Sequence, residues 1–271
     1  MDPEKLRSCK VILVIGPAGA GKTSLLKLLT GEDLQVGHRL DHGTALPTVI
    51  HGTINDQSFV FIDSPGFGHS SSQPGEIEKQ IHAMLGHFTR ELGGIHGILY
   101  VQDIPLEREL TGMQEATNFL RELAGRNFRS HITFITTKWD AVAPKVIRKC
   151  ETKEEDLIRS RWASFRVGDE GGSRLVRHGI DCSEDDFETQ QAGRQALLNN
   201  VMAYYVDTSI QRLTMPFSQL TYGEQGFKIA TVTGQIIKVT GKVALAVGVL
   251  YVFGAAIASG VIVVSFSIRL Y

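Results

Sequence analysis

The sequence predicts a three-layer α/β fold, with a mostly parallel central sheet between helices and a hydrophobic C-terminal helix after it. Three observations predict this. Short β-branched runs alternate with segments of helical period over residues 10–206. A glycine-rich turn joins the first such run to the first helical segment. A long uncharged stretch follows near the end of the chain, from Val243 to Ile268.

Each element has its own signal. Lys10–Ile15 (KVILVI) is a short apolar strand, and Thr23–Leu29 places Leu25, Leu26, Leu28 and Leu29 at helical spacing. Gly31–Pro47 is a polar, glycine-punctuated loop. Thr48–Ile54 and Ser58–Ile62 are two strands joined by the turn Asn55-Asp56-Gln57. Ile77–Leu92 has helical period, Gly94–Val101 is a strand, Leu110–Leu123 a helix, and His131–Thr136 (HITFIT) a strand. Glu154–Phe165 is predicted helical, Arg174–Arg177 a last short strand, and Asp186–Val206 a long helix. Pro216, Gly223 and Gly226 then break the pattern. The expected organisation is a folded domain over 8–208, a linker over 209–226 and a hydrophobic tail over 227–271.

Composition excludes several classes. With 271 residues, the chain has room for one good-sized domain and an appendage. Apolar and charged fractions of 42% and 21% are those of a folded protein. A formal net charge of −1 lacks the basic excess of a nucleic-acid binder, so no nucleic-acid partner is expected. Cys9, Cys150 and Cys182 lie far apart, which fits a reducing compartment better than a disulfide framework. The polar start MDPEKLRSCK is not a secretory signal.

Gly16-Pro17-Ala18-Gly19-Ala20-Gly21-Lys22-Thr23 has the spacing of a phosphate-binding loop, and it sits where such a loop must, after a strand and opening a helix. Tightly folded glycine backbone lets successive N–H groups converge on phosphate oxygens, aided by the positive end of the helix dipole. The contacts expected here run from Gly16 through Ala18, Gly19, Ala20 and Gly21 to Ser24. Lys22 reaches the β and γ phosphates, and the Thr23 hydroxyl ligates Mg²⁺.

Asp63-Ser64-Pro65-Gly66 ends the strand SFVFID. Asp63 is placed to hold Mg²⁺ through water, and the Gly66 N–H to touch the γ-phosphate. Thr137-Lys138-Trp139-Asp140 follows HITFIT and selects the base. The Asp140 carboxylate accepts from guanine N1–H and the 2-amino group, whereas adenine offers neither donor there. A buried acceptor left unpaired costs roughly 1–3 kcal/mol, so Asp140 disfavours an ATP-using kinase or ATPase. The Lys138 stem is expected across the base plane. GTP or GDP with Mg²⁺ is therefore the expected ligand, at the C-terminal ends of the strands.

The motif set resembles a septin-like, immunity-associated branch of the GTPases and is most similar to fungal AIG-type G-domain proteins. The resemblance covers about Cys9 to Met202. It rests on Gly16–Ser24, on VGHRLDHGT at Val36–Thr44 and on FIDSPGF at Phe61–Phe67. It also rests on GILY at Gly97–Tyr100 leading to Ile104 and Arg108, on TTKWD at Thr136–Asp140, and on LVRH at Leu175–His178. It implies a Ras-like phosphate-loop NTPase fold. It also implies that Thr44 is the switch threonine sensing Mg²⁺ and γ-phosphate; spacing alone leaves Thr48 and Thr53 as competitors. Arg177-His178 would lie in the loop beside the guanine.

In Ras-type enzymes a glutamine after the Asp-x-x-Gly segment orients the attacking water. Phe67 stands there in this chain, and a phenyl ring neither accepts nor donates. The expectation is slow Mg²⁺-dependent hydrolysis of GTP, raised when a second copy of the domain supplies polar groups, with His69 as a candidate to place a water. The alternative is an interaction module that binds GTP or GDP without turnover. His38-x3-His42 has metal-like spacing but lacks a third ligand. The acids Ser183-Glu184-Asp185-Asp186 suit the start of a helix.

Val243–Ile268 holds 26 uncharged residues between Lys242 and Arg269, long enough to span a bilayer as a helix, which takes about 20. Lys228, Lys238 and Lys242 lie on the domain side, so the expected topology is a tail anchor in an intracellular membrane with the domain cytosolic. Small residues at Gly254/Ala258 and Ala256/Gly260 offer a helix-packing face.

Overall fold

A computed structural model describes residues 6–31, 46–68, 75–105, 110–166, 172–179, 187–213, 228–230, 236–239, 242–245 and 250–252. Six strands form its sheet: β1 (Lys10–Ile15), β2 (Thr48–Ile54), β3 (Gln57–Asp63), β4 (Gly97–Asp103), β5 (Ile132–Thr137) and β6 (Arg174–Arg177), in the order β2-β3-β1-β4-β5-β6. Only β2 runs antiparallel, at one edge, where it pairs with β3. The hairpin turns through Asn55 and Asp56, both left-handed at φ 49° and 61°. That geometry matches the twist of the flanking strands, and Asn and Asp tolerate it best among side-chain-bearing residues.

The strands in the middle are apolar along their whole length because both faces are covered. Val11 to Ile15 are fully buried. On one face lie α2 (Glu76–Leu92) and α3 (Leu110–Leu123). Ile81, Leu85, Phe88, Ala116, Phe119 and Leu120 from these helices meet Val11, Leu13 and Tyr100. On the other face α1 (Lys22–Thr30) and the C-terminal helical run bury Leu25, Leu26, Leu29, Val201, Met202 and Tyr205 against Ile12, Val14 and Val101. Two apolar faces on one sheet make the expected three layers.

Two helices depart from their predicted extents, each for a packing reason. The expected helix Glu154–Phe165 begins earlier as α4 (Ile147–Arg159), stops, and resumes as α5 (Ala163–Arg166). The break delivers Trp162, fully buried, onto Phe134 with ring centroids 4.4 Å apart. The long helix expected over Asp186–Val206 is described as α6 (Phe187–Leu197), a π-turn (Leu198–Met202) and α7 (Ala203–Val206). The wider turn precedes Tyr205, whose hydroxyl bonds Thr133 Oγ1 at 2.8 Å and reaches the carbonyls of His131 and Ile98.

Most of the helix expected over 243–268 lies outside the described residues; the few described there, 243–245 and 250–252, are extended. β9 (Lys242–Leu245) pairs antiparallel with β8 (Ile236–Val239), and β10 (Leu250–Val252) with β7 (Lys228–Ala230). β-Branched residues have modest helix propensity and are enriched in strands. Among the described residues no helix is long and apolar enough to cross a membrane.

Candidate functional site

Parallel strands β1, β3, β4 and β5 end on the same side, and three predicted motifs meet there. The glycine-rich loop leaves β1 at Gly16, where an added Cβ would stand 2.0 Å from the Val101 carbonyl oxygen of β4. Only glycine lets the loop start so close to the neighbouring strand. The loop closes into α1 through Gly21 at φ 88°. Ala20 is buried, Ala18 half-buried, and Gly19 and Ser24 exposed.

Lys22 is 6% exposed, and its ammonium donates to the carbonyls of Gly16 (3.1 Å) and Pro17 (2.9 Å). Burial lowers its pKa to about 8, with Asp63 and Asp103 pulling the other way. The charge is therefore held inside the loop it would use to meet a phosphate. Beside it the Thr23 hydroxyl donates to Asp63 Oδ2 at 2.7 Å. Asp63 is 1% exposed. A hydroxyl against a buried carboxylate is a hard-oxygen pair of the kind Mg²⁺ takes, so these residues fit the ion.

The Asp63–Phe67 segment is strapped to the loop by its backbone. Ser64 N–H donates to Val14 O (3.2 Å), Phe67 N–H to Gly16 O (3.2 Å), and Ala18 N–H to Phe67 O (2.8 Å). A Cβ on Gly66 would lie 2.3 Å from Ala18 Cα, so the two chains touch there. The Phe67 ring, 1% exposed, points away into the core, 5.4 Å from the ring of Phe119. Phe67 therefore brings no polar group to this end of the sheet and serves through its backbone.

The third motif docks on the same loop. Thr137 donates its hydroxyl to Ala20 O at 2.8 Å. Lys138 adopts φ 62° and carries its ammonium to Gly19 O at 2.6 Å. Asp140 is exposed, and the loop after β6 comes up beside it. A Cβ on Gly179 would stand 2.8 Å from Asp140 Oδ1, and His178 N–H donates to Thr136 O at 2.8 Å. Burial pushes the His178 imidazole pKa down, opposed by Asp140. Arg177 is already occupied: its Nε donates to Glu154 Oε2 at 2.7 Å, and its guanidinium lies 4.4 Å over the Trp139 ring. Through the Trp139 ring and Glu154 it braces the Asp140 loop.

Register decides between two of the switch-threonine candidates. Thr48 stands opposite Asp63, at the site end of β2, while Thr53 stands opposite Ser58. Five residues of strand put Thr53 roughly 17 Å further away, which removes it from the site. Thr44, His69, His38 and His42 lie outside the described residues. Among the described residues no cluster of His, Cys, Asp or Glu forms a separate metal site.

Three site residues escaped the sequence reading. Asp103 and Gln102 end β4 beside the phosphate loop, both 3% exposed. Glu154 comes from α4, 2% exposed, and takes the Thr136 hydroxyl at 2.7 Å as well as Arg177. For Asp103 a signal existed, because a buried apolar strand ending in Gln-Asp at the ligand side is unusual. For Glu154 none did.

Comparisons with known proteins agree with this picture. Residues 11–138 match the family model described as 50S ribosome-binding GTPase, just under half of the chain. Toc33 from Arabidopsis thaliana in complex with GDP and Mg²⁺ superposes with a TM-score of 0.56 at 16% identity, over 78% of this chain and 89% of that one. A structure of chloroplast translocon components atToc33 and psToc159 gives 0.55 at 15%, over 79% and 88%. At such identities the likeness carries the fold alone. A probable FAD-binding monooxygenase, ltbD of Aspergillus luteorubrus, is 29% identical over 117 residues, 41% of this chain and 23% of that protein. The chain thus spans about a quarter of the length of the curated relative it matches. Over residues 11–138 the chain is thus similar to a GTPase family model, and its fold is similar to that of a protein seen in complex with GDP and Mg²⁺.

Proposed function

We propose that the protein binds GTP and GDP with Mg²⁺ and hydrolyses GTP slowly, under the control of G-domain self-association at a membrane. One observation carries the nucleotide reading: Lys22, the Thr23–Asp63 pair and Thr137-Lys138-Trp139-Asp140 converge at one end of the sheet, joined by hydrogen bonds to a single loop. In this reading the N–H groups of Gly16–Ser24 and the Lys22 ammonium hold the phosphates. Thr23 would hold Mg²⁺ directly and Asp63 through water, with Thr44 as the switch threonine. The ion would neutralise charge developing on the β and γ oxygens. Gly66 would offer its N–H to the γ-phosphate. Asp140 would read the guanine edge, with Lys138 and His178 beside the base.

Slow turnover follows from Phe67, whose ring is buried in the core where Ras-type enzymes hold a water-orienting glutamine. The chloroplast translocon components atToc33 and psToc159, for which dimerisation is important for GTPase activity, support control by self-association. The buried ring equally favours a second reading, an interaction module that holds guanine nucleotide without turnover. The motifs quoted above support placement in the septin-like, immunity-associated branch. The uncharged stretch Val243–Ile268 supports membrane attachment of a cytosolic G domain; it would become helical in lipid, which favours internal backbone hydrogen bonds.

Displacement of a fluorescent GDP analogue tests the core reading. Unlabelled GTP and GDP are expected to displace it and ATP is not; equal displacement by ATP refutes guanine recognition. Asp140→Asn is expected to weaken guanine and favour xanthine nucleotides, whose 2-oxo group accepts where guanine donates. Single-turnover hydrolysis should accelerate with protein concentration, and a concentration-independent rate refutes self-association. Carbonate-resistant membrane sedimentation checks the tail.

A further inference from the structure

A buried carboxylate has no place yet in this site. Asp103 is the last residue of β4, opposite Thr137 in the register with β5, and is 3% exposed. Its Oδ1 receives the Gln102 side-chain amide at 3.3 Å. Its Oδ2 accepts no hydrogen bond among the described residues, and faces Lys138 Nζ at 3.6 Å. That ammonium in turn donates to the Gly19 carbonyl of the phosphate loop at 2.6 Å. Lys138 reaches this position from a left-handed backbone, φ 62°, which costs a lysine energy unless its surroundings hold it. A carboxylate that burial disfavours and a lysine in a disfavoured conformation therefore meet behind the same loop.

We propose, on the ground of the guanine-nucleotide reading above, that Asp103 is a positioning residue which holds Lys138 in its bound-state conformation, clasping the phosphate loop to the base side of the site. The Asp103 charge fixes the ammonium, the ammonium fixes Gly19, and the lysine stem is thereby laid along the base position before nucleotide arrives. Burial pushes the Asp103 pKa up, and Lys138 is the largest influence pulling it back, ahead of Lys153. The ion pair is directional in effect. Deleting the lysine removes the largest of the positive charges that offset this buried carboxylate, while neutralising the aspartate releases a lysine whose side chain is 38% exposed and can turn to water.

Asp103→Asn keeps shape and removes charge. The dissociation constant for a fluorescent GDP analogue is expected to rise about tenfold, mainly through faster release, because the site must then order Lys138 on binding. The nucleotide-free unfolding midpoint should hold or increase, since a buried charge has gone; a merely structural role predicts that it falls. Lys138→Met keeps an apolar stem and removes the ammonium, and should show a similar loss. In the Lys138→Met background, Asp103→Asn should change affinity by less than twofold. Additive effects, or Lys138→Met binding like wild type, overturn the assignment whether or not Asp103→Asn folds. Failure of the wild-type chain to bind guanine nucleotide overturns both this and the reading beneath it.

Discussion

Gly66→Ala is the sharpest test of how the site is built. Its Cβ would stand 2.3 Å from Ala18 Cα and 2.7 Å from Ala18 N, backbone atoms that cannot swing aside as a side chain would. Relief to an ordinary contact of about 3.6 Å needs the two segments to part by roughly 1.3 Å. That displacement breaks the Ala18 N–H to Phe67 O bond of 2.8 Å and the Phe67 N–H to Gly16 O bond of 3.2 Å. At about 1 kcal/mol for each bond and about 1–3 kcal/mol for overpacking, the expected cost is about 3–5 kcal/mol. For a domain near two hundred residues this lowers the melting temperature by roughly 6–20 °C. Gly93→Ala is the control: its φ is 85° with no atom within 4 Å of the added Cβ. It should cost only the conformational penalty, about 1 kcal/mol. Urea unfolding of both variants without nucleotide, alongside displacement of the GDP analogue, decides the matter. A Gly66→Ala protein no less stable than Gly93→Ala would refute the backbone-strap account.

Other consequences are as direct. Tyr205→Phe removes the hydroxyl that bonds Thr133 and should cost about 1–2 kcal/mol in urea unfolding with nucleotide binding unchanged. Glu154→Gln weakens the support that Thr136 and Arg177 share; Arg177 is part-exposed, so the expected loss is about 2 kcal/mol, with weaker guanine binding in the displacement assay. His96 Nδ1 accepts the Val11 N–H at 2.9 Å and must stay neutral to do so; burial lowers its pKa from 6.5 to about 4. Because the unfolded chain then binds the proton first, this group's contribution to stability is full above pH 6.5 and is lost as pH falls toward 4, by about 2 kcal/mol at pH 5. Denaturation at pH 7 and pH 5 checks this, and His96→Gln should flatten the difference. Chelating Mg²⁺ should weaken GTP binding, and Thr23→Val should make affinity insensitive to the chelator.

Most of the sheet could be read along the chain. KVILVI coincides with a strand because a buried strand is short, apolar and β-branched; the partly exposed edge strands TVIHGTI and RLVR coincide because their β-branched residues suit a pleated surface, and both signatures are local. Leu110–Leu123 coincides with its helix for the same kind of reason. The break at Trp162 could not be read, because it is caused by Phe134, which lies elsewhere in the chain. The helix expected in the tail followed hydropathy and length, whereas the described tail residues follow the extended preference of β-branched chains.

The site divides in the same way. Local sequence determined the phosphate loop, the Asp63 turn and the Thr137–Asp140 motif, since each is a contiguous stretch with a recognisable pattern of residue types. Tertiary structure alone decided which groups stand behind them. Register set Thr53 out of reach and Thr48 opposite Asp63. Strand order brought Asp103 to Lys138, and helix packing brought Glu154 to Arg177. Such partners are distant along the chain and adjacent only across the sheet. Their pairing follows from where strands and helices pack, which no single stretch of sequence contains.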